Sequence, residues 1–84
     1  MKNLDKRIGV IAIIITQPAK SHEQLNAVLH THSNIIVGRL GLPRHKENLS
    51  IISLIVEGTT DEVGALTGKL GQIESVSVKT AFAK

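Results

Sequence analysis

Four histidines are the side chains of this 84-residue chain that could most readily bind a metal: His22, His30, His32 and His45. His30 and His32 would share one face if their segment were extended, because side chains alternate faces along a strand. An imidazole pair of this kind could bind a transition metal such as nickel, zinc or copper with help from another subunit. The alternative is that the histidines lie at a solvated helix end and in a loop and bind no metal. The absence of cysteine, and of a carboxylate at metal-ligand spacing, favours this alternative. His30 and His32 are therefore our candidate metal ligands.

The stretch 37–43, VGRLGLP, carries a second candidate site. Gly38 interrupts a strand-like run, which often marks a bulge or a close backbone approach, and Arg39 places a charge between apolar neighbours. Arg39 could pair with a carboxylate or phosphate of a ligand, or across a subunit interface. It could instead be an edge-strand charge that discourages aggregation. We expect Gly38, Arg39 and Gly41 to form an irregular edge or hairpin end that contacts a ligand or a neighbouring subunit.

A glycine-rich stretch at 64–70, GALTGKL, loosely resembles a phosphate-binding loop. It lacks one spacer residue and has leucine where Ser or Thr should hold magnesium, so we reject that interpretation. Gly64 and Gly68 are four residues apart and would lie on one helix face, which favours close approach to a neighbour. Gly68 and Lys69 therefore join the candidate ligand or interface residues. No nucleophile stands at a recognisable spacing from a base, so the sequence predicts a protein that is not an enzyme.

Composition narrows the class of protein further. The formal net charge is only +3, and Phe82 is the one aromatic residue, so neither base stacking nor specific DNA binding is expected. The apolar run at 8–15 is far shorter than the roughly 18 residues of a membrane span, and no cleavage site for a signal peptide follows it. The absence of cysteine fits a reducing compartment. We expect a cytoplasmic protein with no membrane partner.

Two strand-like runs, 8–15 and 49–56, are apolar on both faces, whereas a half-buried strand would alternate apolar and polar residues. The other two strands, near 34–42 and 75–81, are less apolar. The doubly apolar runs therefore belong at the centre of a sheet. The element order strand, helix, strand, strand, helix, strand predicts an α+β, ferredoxin-like βαββαβ sandwich, with a four-stranded antiparallel sheet and two helices on one face.

This fold has consequences for domain organisation and assembly. The length fits one domain over residues 1–84, with residues 1–6 expected to be flexible. Two helices cover one face of the sheet and leave an aliphatic patch on the other, which would be large for a soluble monomer. We therefore expect a homo-oligomer, either a dimer or a tetramer, built through that face.

Capping signals predict where the helices begin. Ser21 with Gln24 suggests a capping box for the first helix, and Thr59 with Glu62 suggests one for the second. Gly68 weakens a helix relative to alanine, so the second helix is expected to stop early. Between the second and third strands, residues 41–48 are expected to be a connecting loop, which makes these two strands a hairpin.

The ordered blocks IVGRLGLP, IISLIVEGTTDE, ALTGKLG and VSVKT resemble a small family whose members are named as regulators of the iron-only hydrogenase system. The resemblance runs from about Lys6 to the C-terminus. It implies a ferredoxin-like fold similar to ACT regulatory domains and to the C-terminal domain of the nickel-responsive repressor, and it implies a regulatory or sensing role. The DNA-reading domain and the nickel-binding cysteine of that repressor have no counterpart here. Residues 17–20 also lack the glycine and acid of ACT domains that bind amino acids.

Two functions from different classes follow from these observations. The first is a small, transcription-regulator-like domain that senses a small ligand or metal and acts through a protein partner or a larger assembly. The second is a structural oligomerisation module without a ligand. An ACT-type amino-acid-binding domain is a further alternative. Apart from the metal considered for His30 and His32, the sequence assigns no cofactor.

Overall fold

A computed structural model describes residues 6–83 of the chain. The strands are β1 (Arg7–Ile15), β2 (Ile36–Arg44), β3 (Leu49–Gly58) and β4 (Val76–Phe82), and the helices are α1 (Pro18–Thr31) and α2 (Thr60–Gly71). The strands form an antiparallel sheet in the order β2-β3-β1-β4. This confirms the α+β, ferredoxin-like fold and the central position of the first and third strands. The prediction of a flexible N-terminus falls almost wholly on residues 1–5, outside the described residues.

Both helices cover one face of this sheet. Alternate residues of the two central strands point to that face and are buried against the helices, as the period-2 geometry of strands requires. Val76 and Val78 of β4 are half-buried at the edge of the same core. The core itself consists of Ile11, Ile13, Ile15, Leu25, Leu29, Ile35, Ile52, Leu54, Val56, Val63, Leu66, Leu70 and Ile73.

The opposite face of the sheet is not covered by either helix, and we call it the helix-free face. The intervening residues of the central strands are mostly apolar here too, as the sequence pattern predicts, with Ser53 of β3 as a polar residue between Ala12 and Leu40. The face also has polar members at its margin, Glu57 of β3 and Lys79 of β4, which pair in register with Ile8 and Ala12 of β1. The large apolar side chains exposed on it are Ile8, Val10, Ile14, Leu40, Leu42, Ile51 and Ile55.

The first helix begins three residues earlier than predicted, so the Ser21 capping box is wrong. Pro18 occupies the start of α1 and Gln17 is its N-cap without a side-chain hydrogen bond; proline suits this position because its φ is already helical. Ser21 lies inside the helix and is buried. Its hydroxyl donates to the carbonyl of Glu74 at 2.7 Å and shares a hydrogen bond with Ser75 Oγ at 2.8 Å. Ser21 thus ties α1 to the turn before β4.

The second helix confirms one prediction and corrects another. Thr59 Oγ1 accepts from the Glu62 backbone N–H at 3.0 Å and Glu62 Oε1 accepts from the Thr59 N–H at 2.8 Å, which is the predicted capping box. The helix does not stop early at Gly68 but continues to Gly71. Burial of Leu70 against the core stabilises this last turn, because tertiary packing outweighs a propensity cost of about 1 kcal/mol.

The second strand is irregular at one end and more regular than predicted at the other. A register shift lies between Ile36 and Gly38, which confirms an irregular edge at that point. The strand then stays paired through Pro43 to Arg44, so the prediction of a loop over 41–48 is wrong, and the hairpin turn is confined to residues 45–48. Because β2 is an edge strand, it tolerates a proline that cannot donate to a neighbour.

A basic cleft between α1 and the β2–β3 hairpin

The described residues enclose a cleft of about 460 Å³ between α1 and the β2–β3 hairpin. We call it the basic cleft. It lies on the helix-covered side of the sheet, beside the edge strand β2, most of whose residues are exposed. Its apolar lining includes Ile15, Pro18, Leu25, Pro43 and Ile52, and its polar lining includes His22, Asn26, Arg39, Arg44, His45 and Asn48.

Arg39 is the central polar group of the basic cleft. It pairs in register with buried Leu54, so its side chain lies on the helix-covered side of β2. There its Nη2 donates to Asn26 Oδ1 of α1 at 3.0 Å. That amide oxygen is neutral, and no ion pair of Arg39 occurs among residues 6–83. A guanidinium has five donors, so Arg39 keeps hydrogen-bonding capacity for a further acceptor.

Gly41 lies beside Ile52, a residue of the cleft floor. It lies two residues after Arg39 on the same face of β2 and pairs with Ile52. A Cβ atom at this position would meet Ile52 Cγ1 at 3.9 Å, an ordinary contact, and the backbone is not in the left-handed region. Neither conformation nor crowding therefore requires glycine here. The missing side chain leaves space above Ile52.

The electrostatic character of the basic cleft is positive. No Asp or Glu is among its lining residues. Arg44 is partly neutralised, because its Nη2 lies 3.2 Å from Oε2 of Glu47 in the hairpin turn. Arg39 is not neutralised in this way. The first turn of α1, which borders the cleft, contains no acidic residue, so the partial positive charge of the helix start adds to that of Arg39.

A second groove lies on the other side of the bridge between Arg39 and Asn26. It has a similar volume, about 460 Å³, and is lined by both bridging residues together with Leu29, His30, Ser33 and Ile36. The hydrogen bond from Arg39 to Asn26 therefore divides one long groove between α1 and β2 into two halves. A ligand that broke the hydrogen bond between Arg39 and Asn26 would join the two halves into one groove.

The structure separates the other predicted ligand or interface residues from the basic cleft. Gly38 pairs with Ile55 and belongs to the helix-free face. Gly68 and Lys69 are exposed on α2. A Cβ at Gly64 or Gly68 would have no described atom within 4 Å, so these glycines make no close approach inside one copy of the chain. Their role at a contact with another molecule stays a prediction.

The geometry assumed for the candidate metal pair is not found. His30 lies in the last turn of α1 and His32 is its C-cap, so the segment is helical and two residues of this spacing do not share a face. His32 Nδ1 donates to the carbonyl of Val28 at 2.9 Å. Residues 6–83 contain no group of three or more His, Cys, Asp or Glu side chains placed to hold a metal. Metal binding by the pair stays a prediction without this support.

Sequence reasoning identified Arg39 and Gly41 but missed most of their neighbours in the cleft. No sequence pattern singled out Asn26. His22 and His45 entered only as possible metal ligands or as residues of a solvated helix end and loop, and Arg44 was placed in the loop expected over 41–48. One signal was present: residues 44–46, RHK, put three basic side chains next to the strand that carries Arg39. No local pattern shows how α1 lies across the sheet, which brings His22 to the cleft beside the hairpin.

Comparison with known proteins identifies one family. The model of the family described as "TM1266-like: Iron-only hydrogenase system regulator, putative" matches residues 7–80. The solved structure of protein TM1266 from Thermotoga maritima is 42% identical, with a TM-score of 0.90, and the match covers 94% of this chain and 99% of that one. No curated protein matches this chain.

More distant solved structures share the fold alone. A formyltetrahydrofolate deformylase from Pseudomonas putida KT2440 has a TM-score of 0.62 at 5% identity, over 88% of this chain and 28% of that one. CPII from Thiomonas intermedia K12 has a TM-score of 0.50 at 16% identity, over 93% of this chain and 89% of that one. The likeness supports a ferredoxin-like, ACT-like fold. Within residues 6–83, neither helix is long and apolar enough to cross a membrane.

Proposed function

This chain belongs to the TM1266-like family, and we propose that it is a ligand-responsive regulatory domain of the iron-only hydrogenase system. In this proposal a small ligand binds in the basic cleft, copies of the chain associate through the helix-free face, and the assembly acts on a protein partner. The family description supports a regulator rather than an enzyme. The ligand site, the association of copies and the action on a partner go beyond that family description and are proposed here.

The basic cleft is the observation that carries the proposal. Small-molecule sites are typically concave, mostly apolar and of about 300–1,000 Å³, with a few convergent polar groups. The cleft has this size and this composition. It also has a cation, Arg39, that no acid of the described chain neutralises. A regulator needs such a site if its activity is to follow the concentration of a metabolite.

Strand β2 of the hairpin connects the basic cleft to the helix-free face. Arg39 and Pro43 line the cleft, and Gly41 lies between them on the same face of β2. The alternating residues Leu40 and Leu42 face away from the cleft. Leu40 and Leu42 are exposed on the helix-free face. A ligand that moves β2 therefore moves two apolar side chains of the assembly surface, which couples ligand binding to association.

The size of the helix-free face supports association between copies. Strands of 7 to 10 residues, at about 4.8 Å spacing and 3.3 Å rise per residue, give a flat area of roughly 550 Å². Protruding side chains raise the accessible area toward the ~800 Å² per partner of a standard interface. The face is largely apolar, with Ser53 as the polar residue near its centre and Glu57 and Lys79 at its margin. This is close to the usual pattern of an apolar core and a polar rim.

Native mass spectrometry of freshly purified protein tests the proposal. We expect an oligomer that carries a small molecule, and we expect Gly41→Val to lose that molecule because the new side chain fills the cleft above Ile52. Gly38→Val is the matched control, since it adds the same side chain to the opposite face of β2. Retention of the small molecule by Gly41→Val would contradict binding in the cleft.

A structural oligomerisation module is the second candidate function. The exposed apolar helix-free face favours it, because that face would serve assembly with no ligand at all. The two functions differ in one result. An oligomer that never carries a small molecule, and whose association is the same for Gly41→Val and the unmodified chain, supports the structural module.

A further inference from the structure

We infer that the basic cleft selects a small monocarboxylate with a branched or ring-shaped hydrocarbon body. This inference rests on the proposed function and adds the chemical class of its ligand. It follows from three properties of the cleft: a single uncompensated guanidinium, an apolar floor, and a helix start with few donors for a larger anion.

The guanidinium sets the charge and the geometry of the head group. Arg39 holds one acceptor, Asn26 Oδ1, with one of its five donors. A planar carboxylate accepts two parallel hydrogen bonds from a guanidinium, a geometry that lysine cannot reproduce. A carboxylate would compete well with the neutral amide oxygen of Asn26, because it carries the charge opposite to that of Arg39 and accepts two parallel hydrogen bonds instead of one.

The floor of the cleft sets the character of the rest of the ligand. Ile15, Leu25 and Ile52 line the floor but are only 1%, 1% and 5% exposed. The apolar surface still open to a ligand therefore comes mainly from Pro18, Pro43 and Leu49 around that floor. Gly41 leaves the space above Ile52 open. A hydrocarbon body placed there removes apolar surface from water on both sides. Each buried CH₂ group favours binding by about 0.8 kcal/mol, or close to fourfold in affinity.

The start of α1 argues against a phosphate. Phosphate sites at helix N-termini use several free backbone N–H groups. Here Pro18 has no N–H, and the N–H groups of Lys20 and Ser21 already bond to the carbonyl of Gln17 at 3.0 and 3.2 Å. The start of α1 therefore lacks the set of backbone donors typical of a phosphate site. Of the two guanidinium groups that line the cleft, Arg44 is already paired with Glu47, so Arg39 is the one that no acid of the described residues compensates.

Titration of ¹⁵N-labelled full-length protein, followed by amide chemical shifts, tests the inference. The probes are isovalerate, phenylacetate, isovaleramide as the uncharged isostere of isovalerate, and inorganic phosphate. We expect at least one of the two acids to saturate shifts in β2 and at the start of α1, and isovaleramide to bind at least tenfold more weakly. Arg39→Gln should weaken the acid by about 10- to 100-fold. Arg39→Lys should recover only part of that loss.

The outcomes separate the ligand class from the proposed function. If isovaleramide or phosphate binds the cleft as tightly as the acids, the carboxylate class is wrong while ligand binding in the cleft stands. If the two acids bind but Arg39→Gln leaves their affinity unchanged, the role of Arg39 is wrong. If neither acid gives saturable shifts, the inference fails. The proposed function fails with it only if Gly41→Val also leaves the native mass spectrum unchanged.

Discussion

The two faces of the sheet are built from the same strands but have different surroundings. Ile11 is 0% exposed on the helix-covered face, whereas its neighbour Val10 is 40% exposed on the helix-free face. Both are aliphatic and both lie in a central strand. The difference shows that one chain of this length supplies the cover for only one face, so that the second apolar face is available for a contact outside the chain.

The largest expected effect comes from a charge placed on each face in turn. Ile11→Lys should unfold the protein, because an unpaired buried charge costs more than about 4 kcal/mol. Val10→Lys should keep the fold and change the free energy of unfolding of one copy by no more than about 1 kcal/mol, but it should abolish association. Circular dichroism and light scattering measure the two outcomes. A Val10→Lys protein that is folded and still oligomeric would contradict the role of the helix-free face.

Glycines on the two faces should also respond differently. A Cβ at Gly9 would lie 2.9 Å from the carbonyl oxygen of Ala81 in β4, so Gly9→Ala must displace backbone and should cost about 1–3 kcal/mol. A Cβ at Gly38 on the helix-free face would meet Ile55 Cγ1 at 3.6 Å, and Gly38→Ala should change stability by less than about 0.5 kcal/mol. Urea denaturation compares them. An equal loss of unfolding free energy in Gly9→Ala and Gly38→Ala would contradict this difference in packing.

A smaller effect is expected from removal of the Ser21 hydrogen bonds on the helix-covered side. Ser21→Ala removes the hydrogen bonds to Glu74 and Ser75 and leaves a carbonyl without its partner, which should cost about 1–2 kcal/mol. Thr16→Ala is the control, since Thr16 Oγ1 makes an exposed 3.3 Å contact to the carbonyl of Ser75. Thermal unfolding measures both. If Thr16→Ala is as destabilising as Ser21→Ala, burial of the Ser21 hydroxyl is not the cause.

The smallest effect has the opposite sign and lies on the exposed surface of α2. Gly68→Ala should raise the free energy of unfolding by about 0.5–1 kcal/mol, because alanine favours a helix and the added Cβ meets nothing. Gly64→Ala is the companion variant. If either substitution weakens association, as sedimentation velocity would show, the exposed glycines lie at a contact between molecules, which is the role predicted for Gly68 from the sequence.

Much of the fold could be predicted because its signals are local. The doubly apolar runs placed the first and third strands at the centre, and Thr59 with Glu62 marked the start of α2. The prediction at Ser21 was wrong because a residue pattern typical of a cap also occurs inside a helix. The competing signal, proline at the first helical position, was present in the same segment.

The candidate site could be predicted only in part because it is assembled from separate elements. Arg39 and Gly41 stood out since a charge and a glycine interrupt an apolar strand. That they face the cleft, while Gly38 faces the other side, depends on the register shift after Ile36. His22 and Asn26 reach the site because of how α1 crosses the sheet, which no local pattern records.

Sedimentation equilibrium of the unmodified chain at micromolar concentration tests the central claim most directly. We predict a mass of two or four chains of 9.0 kDa, and a return to the mass of one folded chain for Val10→Lys. A single-chain mass for the unmodified protein across this concentration range would contradict it. The helix-free face would then be an exposed surface that this chain does not cover with a second copy.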